Sequence, residues 1–194
     1  MAQSPYWTVS LARLVHRRGG ARPGGSGTGI ARDGGASTPA ATELLAADHR
    51  EVDGLFADYQ TLVDGDADAA ERRPLAEEIC TVLTVHAAIE EEIFYPAARA
   101  AGIETGILDE AEVEHASAKD LIAQIRDMDA DDDLYDAKVK VLGEYVDHHV
   151  AEEEEELFPR CRASEMDLDA LGASLAARKA ELMSEMSEGM DVVR

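Results

Sequence analysis

Four histidines and two glutamates occur in a doubled pattern that is suited to metal binding. The segment 86–90 (His-Ala-Ala-Ile-Glu) is matched 63 residues later by the segment 149–153 (His-Val-Ala-Glu-Glu), and both continue through acidic residues to an aromatic residue and a proline. Single histidines precede these segments at His49 and His115, 66 residues apart, each directly after an acidic residue. The pattern indicates two related halves, each providing one histidine and then His-x-x-x-Glu.

All four histidines lie on predicted helical stripes of apolar residues, traced at alternating steps of three and four residues. The stripes of the first and third helices each place one histidine inward, at His49 and His115. Those of the second and fourth helices add a glutamate one turn after the histidine and consist of Ile79, Leu83, His86, Glu90, Ile93, Ala97 and of Tyr135, Val139, Leu142, Val146, His149, Glu153, Leu157.

The two inward glutamates, Glu90 and Glu153, require a positive partner, because burial of an unpaired carboxylate is costly and two like charges in one dry site cost more. No lysine or arginine occurs on the stripes near that level. A single inward histidine is more often an ordinary core residue, but four of them with two carboxylates favour a bound metal. Protonated glutamates or imidazolium–carboxylate pairs are the structural alternative.

The ligand count predicts a site for two metal ions. Four imidazoles and two bridging carboxylates give about eight bonds, and a shared oxo or hydroxo group adds about two, of the roughly twelve that two six-coordinate ions need. About two positions then stay open for water, dioxygen or peroxide. Imidazole and carboxylate ligands without a thiolate suit iron, and less well manganese, rather than a closed structural zinc site.

Helical periodicity from residue 41 onward predicts an all-α fold. Breaks at 65–68, 102–106, 130–133 and around Ser164 divide the chain into helices near 42–64, 70–101, 107–129 and 133–163, with a shorter fifth near 167–188. Short connections favour antiparallel neighbours, so we expect an up-down-up-down four-helix bundle over 41–163. The segment 164–194 is predicted to be a C-terminal amphipathic helix and tail, and Pro74 is placed in the first turn of the second helix.

Residues 1–40 differ in composition from the rest of the chain. They hold eight of the 15 glycines, three of the six prolines, five arginines and one acidic residue. Such a segment buries too little apolar surface to offset the entropy of ordering, so we expect a disordered Arg/Gly-rich extension. It is a poor secretory signal, because its first residues lack positive charge and its arginines follow the short apolar run.

The charge balance excludes nucleic acid as a partner of the chain as a whole. The chain has 194 residues with 18 basic and 41 acidic side chains, for a formal net charge of -23. A surface this acidic repels phosphate backbones and anionic lipids and attracts cations. No apolar run after residue 40 is long enough to span a membrane. Two cysteines in an otherwise Cys-free chain favour a reducing compartment, and we expect a cytoplasmic protein.

The fifth helix has an apolar stripe whose partner the sequence leaves open. It consists of Leu168, Leu171, Leu175, Leu182, Met183 and Met186. Docking of this stripe onto the bundle is the simpler interpretation. A homodimer contact is the alternative, because methionine-rich stripes are suited to adaptable interfaces.

The complete pattern resembles the hemerythrin family, and within it the bacterial HHE cation-binding domains. Each half ends in Phe-Tyr-Pro or Leu-Phe-Pro, and the resemblance spans about residues 42–163. It implies a non-haem di-iron centre inside a four-helix bundle that binds dioxygen or reacts with related small molecules. By position, the terminal ligands would be His49, His86, His115 and His149, and the bridging ligands Glu90 and Glu153.

Two positions depart from the oxygen-carrying members of that family. Where those proteins have a second histidine on the third helix this chain has Lys119, and where they have an aspartate it has Glu154. Fewer histidines leave more room for exogenous ligands, which favours peroxide chemistry or sensing over oxygen storage. His148 is expected near the surface or behind the ligands, Glu91 or Glu154 could support the ligands, and Asp53 could orient an imidazole.

Three classes of function follow from these observations. The first is a binding module for dioxygen or nitric oxide, or a sensor of oxygen or iron. The second is a di-iron enzyme that decomposes hydrogen peroxide, since open metal positions serve binding and redox chemistry alike. The third is a helical interaction module without metal.

Overall fold

The computed structural model of the protein describes residues 38–192, and all of its regular structure is helical. Helix α1 spans Ala41–Asp64, α3 spans Thr105–Asp127, and α5 spans Leu168–Val192. The long helices α2 and α4 each contain a π-helical turn. Helix α2 consists of Ala69–Ile89, the turn Glu90–Phe94 and Tyr95–Ala100, and α4 of Tyr135–Glu152, the turn Glu153–Leu157 and Phe158–Ala163. The predicted all-α fold is confirmed, but α5 is longer than expected, and the extension predicted over 1–40 lies almost wholly outside the described residues.

The first four helices form a bundle in which neighbours run in opposite directions. Between α1 and α4, His49 contacts Glu154 and Tyr59 donates a hydrogen bond to Asp136, so that the contacts advance along one helix and recede along the other. The same opposite order relates α2 to α3 and α3 to α4, through the pairs Glu91–His115, Thr81–Arg126, Glu114–His149 and Gln124–Lys138. The ring of helices is closed by the four-residue connection 65–68 between α1 and α2.

Helix boundaries agree with the predicted breaks, with one correction inside α2. The side chain of Asp68 accepts a hydrogen bond from the backbone N–H of Glu71 at 3.1 Å and caps the N-terminus of α2. Gly102 ends α2 with a φ of 80°, which glycine adopts without steric strain. Pro74 was predicted to lie in the first turn of α2, but it lies in the second turn, because α2 begins at Ala69.

The π-helical turns are the feature of the fold that the sequence periodicity missed. Each begins at the glutamate of a His-x-x-x-Glu segment and is closed by a backbone hydrogen bond to that glutamate's carbonyl, from Tyr95 N–H to Glu90 and from Phe158 N–H to Glu153. A π-helical turn holds one more residue than a regular turn, which rotates everything after it by about 100°. Such turns are frequent at functional sites.

This extra residue explains where the predicted stripe of α2 was wrong. The stripe continued through Ile93 and Ala97, but the residues buried beyond Glu90 are Phe94, Tyr95 and Ala98. The predicted stripe of α4 is correct at Leu157 despite the extra residue in the π-helical turn, because Leu157 and the following Phe158 are both buried. The turns therefore hold the glutamates and the aromatic residues after them inward together.

Two apolar clusters lie on either side of the histidines. One is built around Leu45, Phe94, Leu108 and Phe158, and the other around Val52, Ile79, Ile122 and Leu142. The free cysteines are divided between them, with Cys161 in the first and Cys80 in the second, and burial raises the pKa of both thiols to about 11. None of the described helices combines the length and apolar character needed to cross a membrane.

Helix α5 packs against α1 and α2. Leu175 is fully buried in the first apolar cluster, and Leu168, Leu171 and Leu182 pack against it. The contact is close at Gly172, where an added Cβ would lie 2.2 Å from the carbonyl oxygen of Pro39. Docking of the helix onto the bundle is therefore confirmed, while a dimer contact through α5 stays a prediction.

Replacing Gly172 with alanine should destabilise the protein. The new methyl group would also lie 2.9 Å from the backbone nitrogen of Ala41, so the chain before α1 and α5 must move apart. We expect a loss of about 1–3 kcal/mol, or very roughly 2–12 °C in Tm, measured by thermal unfolding. Gly54 in α1 is the control, because its Cβ would meet nothing within 4 Å. Gly54→Ala should leave Tm unchanged or raise it. An equal response of the two variants would show that the contact at Gly172 is not tight.

Candidate metal centre

The four predicted histidines meet as two pairs in the middle of the bundle. His49 and His86 place their Nε2 atoms 3.2 Å apart, and His115 and His149 place theirs 3.1 Å apart. Each pair joins two helices that are consecutive in the chain, α1 with α2 and α3 with α4. All four side chains are buried, so their Nε2 atoms face a dry interior.

The two predicted glutamates each contact both histidine pairs. The Oε2 atom of Glu90 lies 3.2 Å from His86 Nε2 and 3.3 Å from His115 Nε2. The Oε2 atom of Glu153 lies 3.3 Å from His49 Nε2 and 3.7 Å from His149 Nε2. Each carboxylate therefore joins a histidine of one pair to a histidine of the other, which is the arrangement required of bridging ligands.

Both carboxylates are fully removed from solvent, and three of their oxygens have no hydrogen-bond partner. Glu90 is 0% exposed and Glu153 is 2% exposed. Neither oxygen of Glu90, nor Oε2 of Glu153, forms a hydrogen bond within the described part of the chain. Unpaired buried oxygens of this kind are expensive unless a cation satisfies them. The donor set thus fits bound metal cations.

The electrostatics of the cluster keep Glu90 ionised. Burial alone would raise the pKa of Glu90, but the neighbouring His86 and His115 hold it well below its usual range. Burial alone would lower the pKa of His86, but Glu90 and Asp48 raise it to about 10. The pKa of His149 is raised as well, against burial, by its bond with Glu114. These raised values favour protonated His86 and His149 beside the carboxylates in the metal-free protein, and a metal ion would replace those protons.

A second carboxylate lies behind each histidine, near Nδ1. His49 Nδ1 donates to Glu154 at 2.9 Å, His115 Nδ1 to Glu91 at 3.0 Å, and His149 Nδ1 to Glu114 at 2.8 Å. His86 Nδ1 lies 3.6 Å from Oδ2 of Asp48. In every case the carboxylate belongs to a different helix from the histidine. A carboxylate at Nδ1 fixes the tautomer and leaves Nε2 free to bind metal.

These supporting carboxylates follow the internal repeat. Glu91 and Glu154 come directly after Glu90 and Glu153 and were named as residues that could support the ligands; each accepts a hydrogen bond from Nδ1 of a histidine. Asp48 and Glu114 come directly before histidines and were overlooked, although an acidic residue at both places was a usable signal. The expectation for Asp53 was wrong, because its side chain is exposed and Glu154 holds His49 instead.

The residues that depart from oxygen-carrying hemerythrins have defined positions. Lys119 donates to both oxygens of Glu91, at 2.6 and 2.5 Å, and so holds the carboxylate behind His115. Glu154 faces the Nδ1 side of His49, away from the pair of Nε2 atoms. The side chain of His148 is 65% exposed and lies 3.5 Å from Glu114, as expected of a residue near the surface.

The symmetry of the site is broken at the aromatic residues that follow the π-helical turns. Tyr95 packs face to face with His115 and donates its hydroxyl to Oε1 of Glu153 at 3.0 Å. The equivalent residue, Phe158, stacks on His49 with an interplanar angle of 8° and has no hydroxyl to donate. Burial and the two buried glutamates raise the pKa of Tyr95 well above its usual range, so the phenol keeps its proton and remains a donor.

A small apolar cavity opens beside the histidines, between them and the second apolar cluster. Its volume is about 40 Å³, and its walls include Val52, Leu83, Ala118, Ile122 and Val146. The Nε2-bearing rings of all four histidines contribute to its lining. One water molecule needs about 10–15 Å³ of such a cavity, so this one admits small molecules of about two to four atoms.

Comparison with known proteins agrees with this geometry. Residues 40–161 match the model of the hemerythrin HHE cation-binding domain. The chain belongs to this family. A crystal structure of a hemerythrin HHE cation-binding domain-containing protein from Mycobacterium kansasii is similar, with a TM-score of 0.62, 25% sequence identity, and coverage of 76% of this chain and 89% of that one. No match was found among curated proteins.

Members of this family bind metal cations, and the two buried clusters formed by His49, His86, Glu90 and Glu153 and by Glu90, His115 and His149 could hold metal here. Glu90 is common to both clusters, and Glu153 lies close to the second. The resemblance seen in the sequence is therefore confirmed at the level of family, fold and a candidate metal site.

Replacing Tyr95 with phenylalanine should weaken metal binding without preventing it. The variant keeps the ring stacked on His115 and removes only the hydroxyl that holds Glu153. Loss of such a supporting hydrogen bond lowers metal affinity by about 10- to 100-fold. The matching change Phe158→Tyr adds a hydroxyl on the opposite side and controls for polarity alone. The affinity is measured by competition with a metal-binding dye, and an unchanged value in Tyr95→Phe would show that the hydroxyl does not hold the carboxylate.

Proposed function

We propose that this hemerythrin-like chain binds two non-haem iron ions and, through them, dioxygen or a related small molecule such as nitric oxide. The observation that supports the proposal is the contact of each buried glutamate with both histidine pairs. One ion would be held by His49 and His86 and the other by His115 and His149, with Glu90 and Glu153 shared between them. Iron suits this mixture of imidazole and carboxylate, and manganese is the second choice.

The carboxylates behind the histidines and the cavity beside them determine which molecules could reach bound iron. Carboxylates accept hydrogen bonds from Nδ1 of His49, His115 and His149 and orient these three rings, and Asp48 lies 3.6 Å from Nδ1 of His86. The mainly apolar walls of the cavity limit the access of water to the Nε2 side. The cavity of about 40 Å³ is lined mainly by apolar residues, with Glu114 and Lys119 also in its lining, and its size selects small molecules. Bound iron would supply the affinity for such molecules and the ability to exchange electrons with them.

Decomposition of hydrogen peroxide is the second candidate function. It is favoured by Lys119, which is bonded to Glu91 and occupies the position at which oxygen-carrying relatives have a further histidine. The smaller ligand set leaves open positions where two peroxide molecules could be converted, in turn, to two water molecules and one dioxygen.

The experiment that separates these functions uses protein reconstituted with iron(II) under anaerobic conditions. Addition of dioxygen or nitric oxide should change the visible spectrum, and the change should reverse when the gas is removed. Addition of peroxide, followed with an oxygen electrode, should release dioxygen repeatedly if the chain is an enzyme. A spectrum that responds to none of the three molecules would contradict both functions.

Filling the cavity should slow ligand binding without removing metal. Ala118 lines the cavity, so Ala118→Leu is expected to reduce the rate of the spectral change severalfold while iron content stays the same. Ala116 lies on the exposed side of the same helix, and Ala116→Leu is the matched control. Equal rates in both variants, measured by stopped-flow mixing with dioxygen, would show that ligands reach the centre by another path.

A further inference from the structure

Helix α5 covers only one of the two related halves of the bundle. In the covered half, Leu44 and Ile89 are buried in the same apolar cluster as Leu175 of α5. At the equivalent positions of the other half, 66 and 63 residues later, the chain has Glu110 and Glu152, which remain accessible to solvent. The sequence therefore differs between the two halves: the half covered by α5 has apolar residues at these positions, and the other half has acidic residues that face solvent.

Two adjacent cations tie α5 to the covered half. Lys179 donates to Oδ1 of Asp48 at 2.7 Å, and Arg178 donates to Glu92 at 2.7 and 3.3 Å. The bond from Arg178 lies at the surface, where ion pairs contribute little. The bond from Lys179 is different, because Asp48 is only 5% exposed.

Asp48 connects this lysine with the metal centre. While Oδ1 accepts the bond from Lys179, Oδ2 lies 3.6 Å from Nδ1 of His86. Both of these atoms are buried, and neither forms a hydrogen bond with a described residue, so each is the nearest available partner for the other. Lys179 is thus the group that holds a buried carboxylate directly behind a predicted metal ligand.

The equivalent carboxylate in the other half has no such support. Glu114 holds Nδ1 of His149, and the other imidazole near its carboxylate is that of the exposed His148, at 3.5 Å. No hydrogen bond or ion pair joins Glu114 to the described part of α5.

The other half has a lysine of its own, because Lys119 bonds to Glu91 behind His115, but those two side chains are 43% and 32% exposed. The side chains of Lys179 and Asp48 are 26% and 6% exposed. Each histidine pair is therefore backed by one lysine, through a largely buried bond in the first pair and an exposed one in the second.

We propose that Lys179 is a positioning residue for the metal ion at His49 and His86, and that this ion is held more firmly than the ion at His115 and His149. The proposal rests on the proposed binding of two ions. Lys179 contacts neither ion. It acts through Asp48, whose position sets the orientation of His86, and α5 thereby stabilises one of two otherwise similar positions.

The test follows release of iron(II) from the reconstituted full chain to an excess of a chromogenic chelator under anaerobic conditions. The wild-type protein should release one ion per chain in a fast phase and one in a slow phase. Lys179→Met should accelerate the slow phase by about tenfold, the lower end of the effect of removing such supporting contacts, and leave the fast phase unchanged. Glu114→Gln should accelerate only the fast phase.

Two further variants keep the test specific to the buried contact. Arg178→Met removes the neighbouring surface bond of α5 and should leave both phases unchanged. Lys179→Arg retains a cation near Asp48 and should restore most of the slow release. Thermal unfolding of each metal-free variant shows whether the fold is intact. If Lys179→Met is unfolded, the release rates of Lys179→Arg and Glu114→Gln are compared instead. The proposal then requires that Lys179→Arg changes only the slow phase and Glu114→Gln only the fast phase, and any other result contradicts it.

The outcomes separate this proposal from the proposed function. Two ions released at one rate, or an equal effect of Lys179→Met on both phases, would overturn the role of Lys179 and leave the two-ion centre standing. A wild-type protein that takes up fewer than two ions would instead contradict the proposed function. Release of two ions in two phases, with only the slow phase accelerated in Lys179→Met, supports both.

Discussion

Glu90→Gln is expected to abolish binding of both metal ions. The substitution removes a charge from a carboxylate that contacts both histidine pairs, and a neutral amide is a poor bridging ligand. Supporting residues that do not bind metal change affinity by about 10- to 100-fold, so a bridging ligand should change it by more than about 100-fold. Metal content after reconstitution with iron(II) and gel filtration should fall from about two ions per chain to nearly none.

Glu155→Gln provides the matched control for this change. Glu155 belongs to the π-helical turn of α4 but is exposed, so its variant loses the same charge without touching the site. It should retain about two ions. If Glu90→Gln binds as much iron as Glu155→Gln, the buried glutamate is not a metal ligand and the cluster is a set of structural ion pairs.

Removal of metal is expected to lower the stability of the folded chain substantially. Ligands that bind only the native state stabilise it, by about 4 kcal/mol when free ligand is a thousandfold above its Kd. For a domain of this size, this corresponds to a decrease in Tm of roughly 8–16 °C when the protein is stripped with a chelator. Differential scanning calorimetry of the stripped and reconstituted forms measures the change.

The metal-free chain should still fold, because its clusters of apolar residues are extensive and its histidines are paired with carboxylates. Glu90→Gln serves as the reference, since its Tm should not respond to iron. A Tm that is the same with and without metal in the wild-type protein would mean that the centre contributes nothing to stability, as expected of the helical interaction module without metal.

Much of the fold was predictable because its information is local. The alternation of apolar and polar residues, the breaks near residues 65–68 and 164, and the internal repeat together specify antiparallel amphipathic helices. The six residues His49, His86, Glu90, His115, His149 and Glu153 come together for the same reason. Each glutamate precedes the extra residue of its π-helical turn, so the spacing of a regular helix still applies up to that point.

The features that escaped prediction depend on backbone geometry or on contacts between helices. A π-helical turn differs from an α-helical turn in its backbone hydrogen bonds, which join residues five rather than four apart, and the acidic run after Glu90 gives no signal of this change. The pairing of each Nδ1 atom with a carboxylate from another helix requires knowledge of which faces meet. The contact of Lys179 with Asp48 joins residues 131 positions apart and depends on the docking of α5, which the sequence left open.

The most direct test of the metal centre is an anaerobic titration of metal-free protein with iron(II), followed by the absorbance and by elemental analysis of the product. The account predicts a break at two iron ions per chain for the wild-type protein and no saturable uptake for Glu90→Gln. Uptake of one ion or none, or exclusive retention of zinc, would contradict a centre in which Glu90 and Glu153 bridge two histidine pairs.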